Sequence, residues 1–176
     1  AFAYAVMSFL MTATPINMHV IENYSLNKTG IVIQLHIISM FLPSLITGNL
    51  LRNFGHSKII YAGVSFFILT ILLSFMEPSF LNYLFSLIFL GIGWNFLYLS
   101  GTGLLVLSYR EEEKFKAQGF NDILVFSTQA LASLSAGYML SITSWKTMNL
   151  IAIPFLILII LLSIRADLSK NSQLIN

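Results

Sequence analysis

Within the apolar runs of this 176-residue chain, the side chains able to do chemistry at neutral pH are few, and His36 is the single ionisable one placed well inside such a run. An imidazole there can bind a solute or take up a proton, since its unperturbed pKa is about 6.5. The other reading is a neutral ring hydrogen-bonded to a neighbouring helix. Gln34 cannot share its face, because two residues turn a helix by about 200°; Met40, Pro43 and Thr47 can. The stretch GWNFLYLSGTG, residues 93–103, sets Trp94 and Asn95 among glycines in a run without charge. Trp94 offers a stacking face and Asn95 an amide to a solute; alternatively the indole packs between helices and the amide bonds a neighbouring carbonyl. Gln129 lies among the small residues of STQALASLSAG. An unpaired amide in hydrocarbon costs several kcal/mol, so Asn95 and Gln129 are expected to face partner helices or a wet cavity. No pattern sets a nucleophile beside a base, no spacing suits a metal, and cysteine is absent. Neither an enzyme, a cofactor nor a metal site is expected.

The elements that must position these residues follow from composition. Hydrophobic residues make up 57% of the chain and charged ones 9%, against about 25% charged in soluble domains. The chain is therefore expected to sit in a lipid bilayer. Windows of about 20 apolar residues, the length needed to cross roughly 30 Å of hydrocarbon, predict six transmembrane helices, at about 1–19, 30–51, 58–76, 80–107, 121–143 and 147–165. A lipid-embedded open sheet would leave its edges unpaired, so the fold class is all-α. Arg52, Lys58, Arg110, Lys114, Lys116, Arg165 and Lys170 fall on one side of these spans, Lys28 and Lys146 on the other. By the positive-inside rule both termini and the second and fourth loops are cytoplasmic. A net charge of +2 with no basic block gives no reason to expect nucleic acid. Ala1 opens directly into an apolar run, which suggests a chain cut from something larger.

Local features sharpen the expectation. Pro15 should kink the first span, with Thr12 or Thr14 satisfying the freed groups. In the fourth loop Ser108 and Glu111 read as a capping box, Gly119 as a helix stop, and Asn121 or Asp122 as the cap of the next span. His19 and His56 lie at membrane borders. No carboxylate lies mid-membrane. The third and sixth spans carry hydroxyls as their interior polar groups and suit lipid contact, while the second, fourth and fifth hold the amides and His36. Shifting the chain by 89 residues sets Gly48 over Gly137 and Leu51 over Leu140. Two three-helix units with an odd number of crossings each must be inverted relative to one another, an arrangement secondary transporters use for alternating access.

The loop GNLLRNFGHSK resembles the cytoplasmic signature of the major facilitator superfamily, with Gly48, Arg52, Gly55 and Lys58 in its places. MTATP, IQLHIISMFLPSLITG, GIGWNF and YREEEKFKAQGFND resemble a largely uncharacterised bacterial branch of these permeases. Lys114 and Glu111 depart from the residues usual there. The resemblance implies the C-terminal six-helix half of a twelve-helix carrier in the bacterial inner membrane, lacking its N-terminal half, with a small organic solute as substrate and a proton or ion as a coupling partner. It implies that the first, second, fourth and fifth helices line a cavity, making His36, Trp94, Asn95, Tyr98 and Gln129 its candidate lining. It also implies a cytoplasmic gate in which Arg52 pairs with Glu112 or Glu113 in one transport state. A membrane scaffold without transport is the competing reading of the same composition. A channel would show charge rings or carbonyl loops, and the sequence shows neither.

Overall fold

The computed structural model describes residues 1–173, with side chains through Ala166; the Asp167 and Lys170 side chains lie outside the described residues. Helix α1 spans Phe2–Ile16, α2 Leu26–Phe41, α3 Ser44–Phe54, α4 His56–Ser74, α5 Phe80–Val106, α6 Lys114–Ile142, α7 Trp145–Ile151 and α8 Ile153–Gln173. No strand occurs among the described residues. Four stretches are long and apolar enough to cross a membrane: α4, α5, Glu111–Ile142 and Trp145–Ala166. The α2–α3 pair, bent by 40°, makes a fifth if it counts as one span. Helix α1 is short by itself, but a π-helical turn over Asn17–Ile21 continues it. Phe2 to Ile21 is about 30 Å of helix.

Helix α5 is the axis of the bundle. Its start is set by Ser79, whose hydroxyl accepts from the Asn82 N–H at 3.2 Å, and no proline interrupts it before Val106. Helix α4 packs along one flank, α2 along another, and α1 joins α5 to α6. Glycines make the two flanks possible. A Cβ added at Gly93 would lie 2.8 Å from the Gly63 carbonyl on α4, and one at Gly91 would lie 2.8 Å from the His36 carbonyl on α2. Real Cβ atoms do not approach backbone that closely. Small residues at such places let transmembrane helices gain dispersion and packing that lipid cannot offer. Phe67, Leu87 and Leu90, all nearly inaccessible, fill the space between these backbones.

Several boundaries differ from the sequence reading, and proline explains three of them. The span expected at 30–51 begins at Leu26 and breaks after Phe41. Pro43 has no N–H for the Ser39 carbonyl, and its ring crowds that carbonyl. The span expected at 147–165 starts at Trp145 and is interrupted at Ala152, because Pro154 cannot donate to Leu150; the Ala152 N–H turns instead to Asn149 O at 3.2 Å. Pro15 ends regular α geometry near Ile16, and the Glu22 N–H then reaches back five residues to Asn17 O at 2.9 Å. Thr14 donates to the Leu10 carbonyl, while Thr12 bonds Ser133 on α6; neither serves the Met11 carbonyl that Pro15 leaves.

The fourth loop is also corrected. Helix α6 runs unbroken through Gly119 and places Asn121 and Asp122 in its interior, so Gly119 is no stop and neither neighbour caps a helix. A glycine costs about 1 kcal/mol in a helix interior, which the length of α6 absorbs. The cap lies elsewhere: a 3-10 turn over Glu111–Glu113 leads into α6, and the Glu113 carboxylate accepts from the Arg110 N–H at 3.2 Å. Ser108 does not cap this turn; its hydroxyl donates back to the Leu104 and Leu105 carbonyls at the end of α5.

Candidate functional site

Asn95 occupies the middle of α5 and is 2% exposed. Its Nδ2 donates to Met40 O at 2.8 Å and to Ser44 Oγ at 2.6 Å, and its Oδ1 accepts from Thr47 Oγ1 at 2.8 Å. In a straight helix the Met40 carbonyl would accept from the Ser44 N–H. The bend frees it, and the amide takes it up. All three bonds join α5 to the α2–α3 break, so the amide is spent on holding that break. Each such bond contributes about 1 kcal/mol net, and an abandoned buried partner costs more.

His36 is fully buried on α2. Its Nδ1 donates to the Leu87 carbonyl of α5 at 2.7 Å, and its Nε2 has no hydrogen-bond partner among the described residues. Ser39 donates to the His36 carbonyl at 2.7 Å one turn on. Gln34, two residues earlier, is exposed on a different face.

Trp94 is 4% exposed and stands at the centre of an aromatic belt drawn from four helices. Tyr98, one turn along α5, stacks on it with centroids 4.9 Å apart and planes 11° apart. Tyr4 of α1 meets Trp94 edge-on at 5.1 Å and Tyr98 at 5.8 Å. Phe41, the last residue of α2, lies 6.1 Å from Trp94. Phe126 of α6 continues the belt from Tyr4 at 6.3 Å. Offset-stacked and edge-on pairs at such distances gain about 0.5–1.5 kcal/mol beyond burial. The belt is buried at its centre and open at its ends, with Phe41 60% and Phe126 56% exposed. The Trp94 Nε1–H has no acceptor among the described residues. Gln129, one helical turn from Phe126, is half-buried.

The sequence reading thus found Trp94 and Tyr98 and missed Tyr4, Phe41 and Phe126. A phenyl ring in an apolar span carries no local sign of which neighbour it meets. The gate candidates lie apart from this belt. Gly48, Arg52 and Lys58 are exposed, as are Glu112 and Glu113. Gly55 holds φ +82°, the one positive-φ glycine among the described residues, at the joint between α3 and α4. Arg52 makes no ion pair with Glu112 or Glu113 here; the ion pair among the described residues is Lys114–Glu111 at 3.1 Å.

The belt and the amide-held break both fall at the middle of a helical membrane bundle, and comparison with known proteins places that bundle. The Major Facilitator Superfamily profile matches residues 1–174. The chain belongs to the major facilitator superfamily. It is an integral membrane protein of that superfamily, 37% identical over 158 residues to the riboflavin transporter RfnT of Brucella anthropi, covering 90% of this chain and 39% of that protein. Two Bacillus subtilis members are similar as well. The uncharacterized MFS-type transporter YddS is 32% identical over 84% of this chain and 34% of its own length. The corresponding figures for YdeG are 33%, 83% and 34%. The chain therefore spans between a third and two fifths of the length of these superfamily relatives. No solved structure gives a significant match.

Proposed function

We propose that this chain is the C-terminal six-helix half of an alternating-access carrier for a small organic solute. The observation that carries the reading is the aromatic belt. One wall built from α1, α2, α5 and α6 gathers stacking rings around a buried Trp94 and leaves Phe41 and Phe126 exposed at its ends. In this reading α1 with its π turn is one crossing, the broken α2–α3 pair another and α7–α8 the last. Both termini, Arg52 and the Glu111–Glu113 turn face the cytoplasm of a bacterial inner membrane.

Tyr98 and Gln129 line the solute path, while Trp94, Asn95 and His36 stand behind it, already engaged with other helices. Arg52 with Glu112 or Glu113 forms a latch in a transport state other than this one. The absence of an ion pair here accords with a contact made in one state and broken in another. The coupling ion, if protons drive the carrier, is handled by the opposing half.

Riboflavin is the first solute to assay, because the 37%-identical relative is a riboflavin transporter. The full-length carrier in proteoliposomes is expected to show saturable uptake. Uptake strictly proportional to concentration at every level would make it a pore, and no uptake of any solute would return the scaffold reading.

A further inference from the structure

We infer that the belt of Tyr4, Phe41, Trp94, Tyr98 and Phe126 is a recognition surface for a planar, fused-ring heteroaromatic solute; this rests on the carrier reading above. A site for sugars or amino acids would show converging carboxylates, amides or cations. This wall shows five rings joined in a continuous run of contacts across four helices, with neighbouring centroids between 4.9 and 6.3 Å apart. The exposed ends are the second observation. Phe41 and Phe126 are more than half exposed at either end of a belt whose centre, Trp94, is almost inaccessible. A flat ring system of two or three fused rings can stack on an end ring and meet the half-buried tyrosine beside it, as on Phe126 with Tyr4 at 6.3 Å, gaining stacking and edge contacts together.

Hydrogen bonding narrows the class further. The Trp94 indole is closed off inside the wall, so the polar contact has to come from α6. Gln129, a turn from Phe126 on α6, supplies both a donor and an acceptor. Such a wall discriminates by shape more than by charge, since no carboxylate or ammonium side chain is paired with these rings among the described residues. The Asn95 staple keeps Phe41, at the end of α2, in register with Trp94.

The test uses full-length carrier in proteoliposomes and two probes, lumichrome, a fused tricyclic heteroaromatic, and ribitol, an acyclic polyol. Lumichrome is expected to bind saturably and ribitol not. Phe126→Leu and Phe41→Leu alter exposed rings and should fold; each is expected to weaken lumichrome binding about three- to tenfold. Phe126→Tyr keeps the ring and should bind within twofold of the parent. Lumichrome bound equally well by both Leu variants would overturn the assignment and make the belt packing for the opposing half. Saturable uptake of ribitol without lumichrome binding would also overturn it, leaving the carrier reading intact. Failure of every probe to bind or to be transported would count against both.

Discussion

Asn95 shows how little a residue's type settles about its use. From sequence it could offer its amide to a solute or to a carbonyl, and the fold gives it three partners around the α2–α3 break. Asn95→Asp keeps the shape but replaces two N–H donors with a lone pair facing the Met40 carbonyl. Thermal unfolding of the full-length carrier in detergent is expected to show a loss of about 1–3 kcal/mol. An unshifted melting curve together with a raised KM would instead make Asn95 a solute contact. The α5 glycines give a matched comparison. Gly91→Ala and Gly93→Ala drive a methyl into the backbone of α2 and α4, whereas nothing lies within 4 Å of a Cβ at Gly101. The first two should lower the melting temperature, and Gly101→Ala should leave it unchanged or raise it, by up to about 1 kcal/mol of helix propensity. Equal effects at all three sites would contradict the close packing of α5.

At the level of elements, apolar length and capping residues were legible, while interruptions were read less well. The fourth span was expected at 80–107 and is Phe80–Val106, because Ser79 marks its start and no proline follows. Pro43 and Pro154 stand in plain view in the second and sixth runs, yet hydropathy averaged over 20 residues passes across a missing N–H. Gly119 misled in the opposite direction. A glycine after a short polar helix resembles a terminus, but here the flanking residues continue the helix and the backbone stays right-handed. This yields a sharp discriminator. Gly119→Ala should be neutral or stabilising by roughly 0.5–1 kcal/mol, since the position is helical and open. Gly55→Ala, at φ +82°, should cost about 1–3 kcal/mol. A loss at Gly119 as large as that at Gly55 would restore the helix stop expected from sequence.

For the molecule as a whole, the class was readable from composition, since 9% charged residues cannot clothe a soluble surface. The candidate wall was readable in part. Amides and histidine stand out in hydrocarbon; rings do not, and three of the five belt members emerged only from tertiary contact. Helix α6 carries the widest uncovered apolar face. Ile123, Leu124, Phe126, Leu131, Leu134 and Tyr138 are all strongly exposed along it. On the proposed half-carrier reading, residues 1–176 alone in liposomes are expected to give no saturable uptake, and co-expression with an N-terminal half should restore it. Saturable flux from residues 1–176 alone would refute the division of labour between halves.

The paired notches at Gly91 and Gly93 restrict how this bundle can move. Backbone seated against backbone on two flanks, with Asn95 fastening one of them, leaves α5 no freedom to roll on its own axis. Helices α2, α4 and α5 must travel together as a single slab, and under the proposed alternating access any rearrangement has to be taken up by sliding of α1 and α6 along its edge or by flexing below Leu42.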